Sequence, residues 1–180
     1  AAMNTTMSRL FPIALTLAFA VVAPAIAQAQ ESAAQAASTA AVSVELGDFD
    51  TMRETRYLRG VQRRDTERSI QALATWLTRR AEAVPGPGQH LEIVLDDVDL
   101  AGEYVPGAGV DMHNVRVVKD IYAPRIALSW RLQDAAGAVV DEGEAVLTDI
   151  AFLSSRPITH DPLRYEKRML DEWLRKQFPK

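Results

Sequence analysis

The chain has 180 residues, with 20 Lys and Arg against 24 Asp and Glu, and it contains no cysteine. This mildly acidic balance excludes the nonspecific nucleic-acid binding that a basic surface provides. The lack of cysteine excludes disulfides, thiol nucleophiles and cysteine-ligated zinc sites. The length suits one domain with its own hydrophobic core.

Residues 1–29 have the pattern of a cleavable signal peptide. Arg9 is the only charged residue before position 30, and the apolar run Leu10–Val22 follows it. Small residues around Ala27 and Ala29 then supply a cleavage site. The apolar run meets Pro24 before it reaches the roughly 20 residues that a bilayer requires. We therefore expect no membrane span, cleavage after Ala27 or Ala29, and a periplasmic or secreted location.

Residues 30–41 predict a disordered linker, because they consist mainly of Gln, Ala, Ser and Thr without bulky apolar side chains. A single domain is expected over residues 42–178. Its first element is the short strand Val42–Leu46, in which apolar and polar residues alternate.

A long helix is predicted next, starting at Asp65 or Thr66, either of which can cap its first turn. Its apolar residues recur at helical spacing, and Pro85–Gly88 ends it because proline and glycine are unfavourable in helices. The apolar stripe consists of Ile70, Leu73, Ala74, Leu77, Ala81 and Val84.

The segment Leu91–Leu100 predicts a strand whose alternation changes phase in the middle. A β-bulge at Asp96-Asp97 would restore the phase, and the alternative is that the strand ends there. The glycines and proline of Gly102–Asn114 indicate a loop, and the β-branched residues of Val115–Tyr122 predict a short strand.

The last part of the domain predicts a hairpin and a second helix. Arg125–Leu132 alternates cleanly, as in an antiparallel strand with one face in water, and Val139–Ile150 returns after the turn Asp134–Gly137. The helix is predicted to begin at Asp161-Pro162, because proline is favoured at the first position of a helix. Its predicted inward residues are Leu163, Leu170, Trp173 and Leu174.

The order of these elements indicates an α+β fold. We expect one antiparallel or mixed sheet of four to five strands, with two main helices packed on one face. Trp76, Trp130 and Trp173 fall at or near apolar faces, so we interpret them as core residues rather than a ligand cage.

Three segments give the chain a family resemblance: Asp97–Glu103 (DVDLAGE), Arg116–Ile126 (RVVKDIYAPRI) and Tyr165–Leu170 (YEKRML). They resemble the domain of unknown function 3016 family, small exported proteins of proteobacteria, over Val42–Phe178. The resemblance implies an envelope protein with one α+β domain. The family supplies no activity, so no catalytic residue is carried over.

The acidic segment that follows the predicted bulge, together with the rigid turn Tyr122–Arg125 (Tyr-Ala-Pro-Arg, called the corner below), predicts a ligand or partner surface. The alternative interpretation is that Arg125 simply pairs with Asp97 or Asp99. This candidate surface consists of Asp97, Asp99, Glu103, Tyr122 and Arg125.

The same acidic segment fails as a calcium-binding loop. An EF-hand template starting at Asp97 puts Ala101 and Ala108 where oxygen ligands belong. A solvated strand end, whose carboxylates pair with arginines or cap loop amides, is the favoured interpretation. We therefore predict no metal site and no cofactor.

A second candidate is an anion-binding segment rich in arginine. If Thr51–Arg64 is helical, several guanidinium groups crowd one face and can contact phosphates of anionic lipid head groups. The alternative is a solvated face whose arginines are interleaved with carboxylates. The candidate residues are Arg53, Arg56, Arg59, Arg63 and Arg64.

No pattern of catalytic residues stands out. The serines lack a nucleophile elbow, the glycines lack a P-loop ending, and His90, His113 and His160 are isolated. We therefore favour a non-catalytic accessory or binding module of the cell envelope, whose partner is an envelope protein or a small ligand. One alternative is an envelope hydrolase that uses the carboxylates of Asp97–Glu103. The other is an assembly subunit that docks through a sheet edge or the arginine-rich segment.

Overall fold

The computed structural model describes residues 41–105, 114–154 and 160–179, all of which belong to the unit Ala36–Lys180. The predicted signal peptide, residues 30–40 of the predicted linker, and His113 lie outside these ranges. In chain order the elements are β1 Val42–Leu46, α1 Gly60–Ala81, β2 His90–Asp99, β3 Glu103–Tyr104, β4 Arg116–Val117, β5 Arg125–Gln133, β6 Val139–Thr148 and α2 Arg164–Gln177.

Four of the strands form a mixed sheet in the order β1-β2-β5-β6. The parallel pair β1 and β2 is connected through α1, whereas β2, β5 and β6 are antiparallel neighbours. This arrangement confirms the predicted α+β fold. The two-residue strands β3 and β4 form a separate small sheet that the sequence analysis did not predict.

Both helices pack on one face of the sheet. Buried apolar residues of α1, α2, β2 and β5 belong to a single cluster. Trp173 is buried and meets Trp130 edge to face, with ring centroids 5.6 Å apart, while Trp76 and Trp130 pack partly buried against the same cluster. The tryptophans therefore contribute to the core, as predicted.

Helix α1 has the predicted apolar stripe from Ile70 to Ala81, but it begins earlier than predicted and ends at Ala81, so Val84 lies beyond it. Gly60 has a φ of +60°, which glycine adopts without steric strain, and marks the start of the helix. Asp65 does not cap the helix and instead pairs with Arg68 at 2.7 Å, while Thr66 is buried inside it. Nothing in Val61–Arg64 opposes the helical conformation, so the earlier start is physically reasonable.

Helix α2 begins two to three residues after the predicted Asp161-Pro162. The Asp161 carboxylate accepts a hydrogen bond from the Leu163 amide at 2.8 Å, so it organises the turn that leads into the helix. All four predicted inward residues are buried, and Asp171 pairs with Arg175 one helical turn later at 3.0 Å.

The predicted β-bulge is present in β2. The register with β5 shifts between Leu95 and Asp97, and Asp97 lies opposite Ala127. Leu95 before the shift and Val98 after it are both fully buried. The extra residue therefore keeps the apolar side chains of both halves on the helix side, and it directs Asp97 and Asp99 to the outer face.

The predicted strand Val115–Tyr122 is wrong beyond Arg116–Val117. Val118 and Ile121 are exposed, the latter by 72%. The partner strand β3 has only two residues, and no other described strand pairs with the rest of this apolar run.

Candidate binding surface

Asp97 on β2 is held by two arginines. The Arg125 guanidinium donates a hydrogen bond to one carboxylate oxygen at 2.7 Å, and the Arg53 amide donates to the other at 2.7 Å. Arg53 Nε also lies 3.7 Å from Asp97 and 3.9 Å from Asp99. The pairing of Arg125 with Asp97, offered above as the alternative to a recognition surface, is therefore present.

The remaining residues of the candidate surface lie around the end of β2. Asp99 is partly buried, and this burial raises the pKa of its carboxyl group against the opposing charge of Arg53. Glu103 is exposed, and its carboxylate accepts a hydrogen bond from the neighbouring Tyr104 amide. The Tyr122 carbonyl accepts a hydrogen bond from the Gly102 amide at 3.0 Å, which joins the corner to the acidic segment.

A buried ion pair that the sequence analysis missed stabilises this strand end. Glu54, with its side chain 4% exposed, accepts a hydrogen bond from the Arg116 guanidinium. The second Glu54 oxygen accepts from the Leu100 amide at 2.9 Å, and Arg116 also donates to the Gly102 carbonyl at 2.6 Å. Burial raises the pKa of Glu54 to about 7, although Arg116 opposes the shift.

A second buried carboxylate, Glu166 on α2, lies at the same strand end. One of its oxygens accepts a hydrogen bond from the Ala101 amide at 2.7 Å, and burial raises its pKa. Its other oxygen has no hydrogen-bond partner among the residues that the structure describes. Glu54 and Glu166 therefore bind the consecutive amides of Leu100 and Ala101, and fix the point where β2 ends.

We call the ion-paired residues at this point the β2-end cluster. It consists of Arg53, Glu54, Asp97, Asp99, Arg116 and Arg125. The sequence contained a signal for part of this region. Glu166 lies between residues predicted to face the core, which indicates a buried carboxylate. No periodicity or motif marked Glu54, which lies in a turn.

The arginine-rich segment is not a single helix, so the condition under which its guanidinium groups would crowd one helix face is not met. Residues 49–57 form turns, which place Arg53 and Arg56 before the start of α1, while Arg63 and Arg64 lie within it. The turns are fixed because the Glu54 amide donates to the Val98 carbonyl at 3.2 Å.

Several of these arginines contact groups within the fold. Arg63 pairs with Asp50 and with Glu67, each at 2.7 Å. Arg59 donates to the carbonyls of Arg56 and Leu58. These contacts agree with the interleaved alternative for this part of the segment, and phosphate binding by it stays a prediction.

The outer face of the sheet carries an excess of carboxylates. The strand register brings Glu92, Arg131 and Glu142 into one row across β2, β5 and β6. Arg131 pairs with Glu142 at 3.3 Å. We call this surface the acidic sheet face, and its carboxylates are Glu45, Glu92, Asp97, Asp99, Glu142 and Glu144.

Two grooves lie away from the β2-end cluster. One, of about 680 Å³, lies on the acidic sheet face between Glu92, Ser129 and Glu144. The other, of about 810 Å³, lies where α1 and α2 end and is called the helix-end groove. Its lining residues are Arg80, Ala83, Val84, Leu132, Leu174, Arg175, Gln177, Phe178 and Pro179.

Within residues 41–105, 114–154 and 160–179, no three His, Asp or Glu side chains form a group that could hold a metal ion. Neither α1 nor α2 is long and apolar enough to cross a membrane.

These features define a small α+β domain with one helix-covered sheet face and one acidic outer face. The chain belongs to the family described as "protein of unknown function (DUF3016)", whose model matches residues 40–176. No curated protein and no solved structure matches it. The expected family is thus confirmed. The three segments on which the resemblance was based meet at the β2-end cluster, through Asp97, Arg116 and Arg125, and at the adjoining Glu166.

Proposed function

We propose that this protein is a non-catalytic binding module of the cell envelope, and that it docks an extended basic segment of a partner protein along β6 and the acidic sheet face. The observation that supports this proposal is the one-sided packing of the helices. Since α1 and α2 both cover the same face, no described element covers the outer face of β2, β5 and β6.

Strand β6 has the properties of a docking edge. It spans Val139–Thr148 and pairs only with β5 within the described ranges. The unpaired backbone groups of an edge strand can accept a further strand from another chain. The exposed side chains of Val140 and Val146 offer apolar contacts beside this edge.

The charges of β6 favour a basic partner over a second copy of the chain. The strand contains Asp141, Glu142 and Glu144 and no Lys or Arg. Pairing two copies of β6 would bring like charges close together, which destabilises a sheet. A segment that carries Lys or Arg would instead be electrostatically complementary.

The contacts of the β2-end cluster favour a structural role for Asp97, one of the carboxylates that a hydrolase would use. A general acid or base must be within hydrogen-bond reach of its substrate. Asp97 already accepts hydrogen bonds from Arg53 and Arg125. These contacts therefore support the binding module over the hydrolase.

The docking proposal can be tested with a defined peptide. The 180-residue chain is titrated with a peptide of alternating Lys and Val, and amide chemical shifts are followed by NMR. We expect shifts along β6 and weaker binding as salt increases. The Glu142→Gln/Glu144→Gln variant should bind several-fold more weakly. A Glu82→Gln/Glu172→Gln variant, with the same charge change at exposed positions just after α1 and within α2, should bind as the wild type does.

Shifts away from β6 and the acidic sheet face, or equal weakening in both double variants, would contradict the proposed docking surface. A peptide of alternating Glu and Val provides the charge control and should not bind.

The proposed envelope location rests on the signal-peptide pattern of residues 1–29. Cell fractionation and mass spectrometry of the mature N terminus test it. We expect a periplasmic product that begins after Ala27 or Ala29. An uncleaved cytoplasmic product would overturn this part of the proposal without affecting the docking test.

A further inference from the structure

The helix-end groove differs in chemistry from the rest of the surface. Its walls are formed by Val84 after α1, Leu132 on β5, and Leu174 and Phe178 at the end of α2. Phe178 is positioned by an edge-to-face contact with Trp173, with ring centroids 6.0 Å apart. The volume of about 810 Å³ lies within the roughly 300–1,000 Å³ typical of small-molecule pockets.

Two guanidinium groups lie at this groove, and no carboxylate side chain is among the described residues that line it. Arg80 and Arg175 both pair with the same residue, Asp171. One carboxylate compensates two cations, so one positive charge remains. The side chains of Arg80 and Arg175 are 42% and 64% exposed, which leaves their other N–H groups accessible.

From this combination we infer that the helix-end groove binds an acyl chain with an anionic head group. The apolar walls take the chain, since burial of apolar surface drives such binding. The head group lies against Arg80 and Arg175, because guanidinium groups form strong charge-assisted hydrogen bonds with carboxylates and phosphates. This site differs in ligand chemistry from the docking surface on β6, which it adjoins through the hydrogen bond from Gln177 to Asp141, and it would be a second function of the domain.

Calorimetric titration of the 180-residue chain with dodecanoate, below its micelle concentration and at pH 8, tests the inference. We expect saturable binding of dodecanoate and none of acetate, which lacks the chain. Dodecyltrimethylammonium, with the same chain and a cationic head group, should bind about tenfold more weakly or not at all. A dodecyl phosphate monoester should bind at least as well as dodecanoate, which extends the site to phosphate head groups.

Two variants locate the site. Arg80→Gln/Arg175→Gln should weaken dodecanoate binding about tenfold, the effect of losing one or two charged hydrogen bonds. Arg68→Gln/Arg79→Gln removes the same charge from exposed positions of α1 that do not line the groove, and should leave binding within about twofold. Val84→Glu puts a carboxylate into the wall and should abolish binding.

Equal affinity for the anionic and cationic amphiphiles would overturn the inference, because it would show apolar adsorption without recognition of charge. Equal weakening in the two arginine variants would overturn it as well. Circular dichroism of each variant shows whether a loss of binding accompanies a loss of fold, and Arg80→Lys/Arg175→Lys should then recover part of the affinity.

Discussion

The β2-end cluster and the helix-end groove both contain arginines, but only the first balances their charges. In the β2-end cluster, Arg53, Arg116 and Arg125 face Glu54, Asp97 and Asp99. In the helix-end groove, Arg80 and Arg175 face Asp171 alone. An arginine whose charge is matched and covered stabilises the fold, whereas one whose charge is left over and exposed is available to a ligand.

Burial further separates Arg116 of the first region from the arginines of the groove. The side chain of Arg116 is 18% exposed and that of Arg175 is 64% exposed. Removing one member of a buried pair leaves an uncompensated charge, whereas an exposed pair contributes little. The two regions should therefore respond very differently to the same kind of substitution.

Arg116→Met should have the largest effect, lowering the free energy of unfolding by about 3 kcal/mol at pH 8, because it leaves the buried Glu54 carboxylate without its cation. At pH 5 the loss should be smaller, since Glu54 is then protonated. Urea denaturation at both pH values measures this. The double variant Arg116→Met/Glu54→Gln should be more stable than Arg116→Met at pH 8. Equal losses at both pH values would contradict this role of the pair.

The ionisation of Glu54 should make the wild-type protein itself less stable as the pH rises from about 4.5 to about 7. Burial raises the pKa of Glu54 from 4.5 to about 7, so the folded state holds this proton more tightly than the unfolded state does. The slope attributable to this one proton is at most about 1.4 kcal/mol per pH unit. Comparing wild type with Glu54→Gln across this range isolates it, and parallel profiles would argue against the shift.

Arg125→Ala should lower stability by about 1 kcal/mol, because Asp97 keeps its contacts with Arg53. Arg131→Ala, which removes an exposed pair with Glu142 from the same strand, is the matched control and should change stability by less than about 0.5 kcal/mol. Thermal denaturation of both variants checks this difference. Equal losses of stability in the two variants would show that the pair of Arg125 and Asp97 contributes no more than an exposed pair.

The Arg80→Gln/Arg175→Gln variant should have the smallest effect on stability, within about 0.5 kcal/mol of wild type, because both groups are well exposed. Its expected phenotype is the loss of amphiphile binding alone. A stability loss comparable to that of Arg116→Met would remove the distinction between the two regions.

The sequence predicted the elements whose apolar residues follow a clear period. The stripe from Ile70 to Ala81 located α1, and the change of phase after Leu95 located the bulge. It did not predict the pair of Glu54 and Arg116, because these residues are 62 positions apart and neither belongs to a periodic pattern.

Other differences had local causes. The apolar run after Val117 has strand-forming residues, but strand formation requires a partner, and β3 supplies one for two residues only. The start of α1 was placed at good capping residues, whereas the helix begins at Gly60. The three segments that carry the family resemblance predicted the family correctly. Their positions in the sequence did not show that they would meet at the end of β2.

The bulge in β2 also determines where this strand tolerates a change of length. Asp96 is the residue without a counterpart on β5, since Leu95 lies opposite Leu128 and Asp97 opposite Ala127. Deleting Asp96 would leave every other side chain of β2 on its present face and would produce an uninterrupted strand. Deleting Val94 instead would invert one half of the strand, and either its apolar or its acidic residues would face the wrong side.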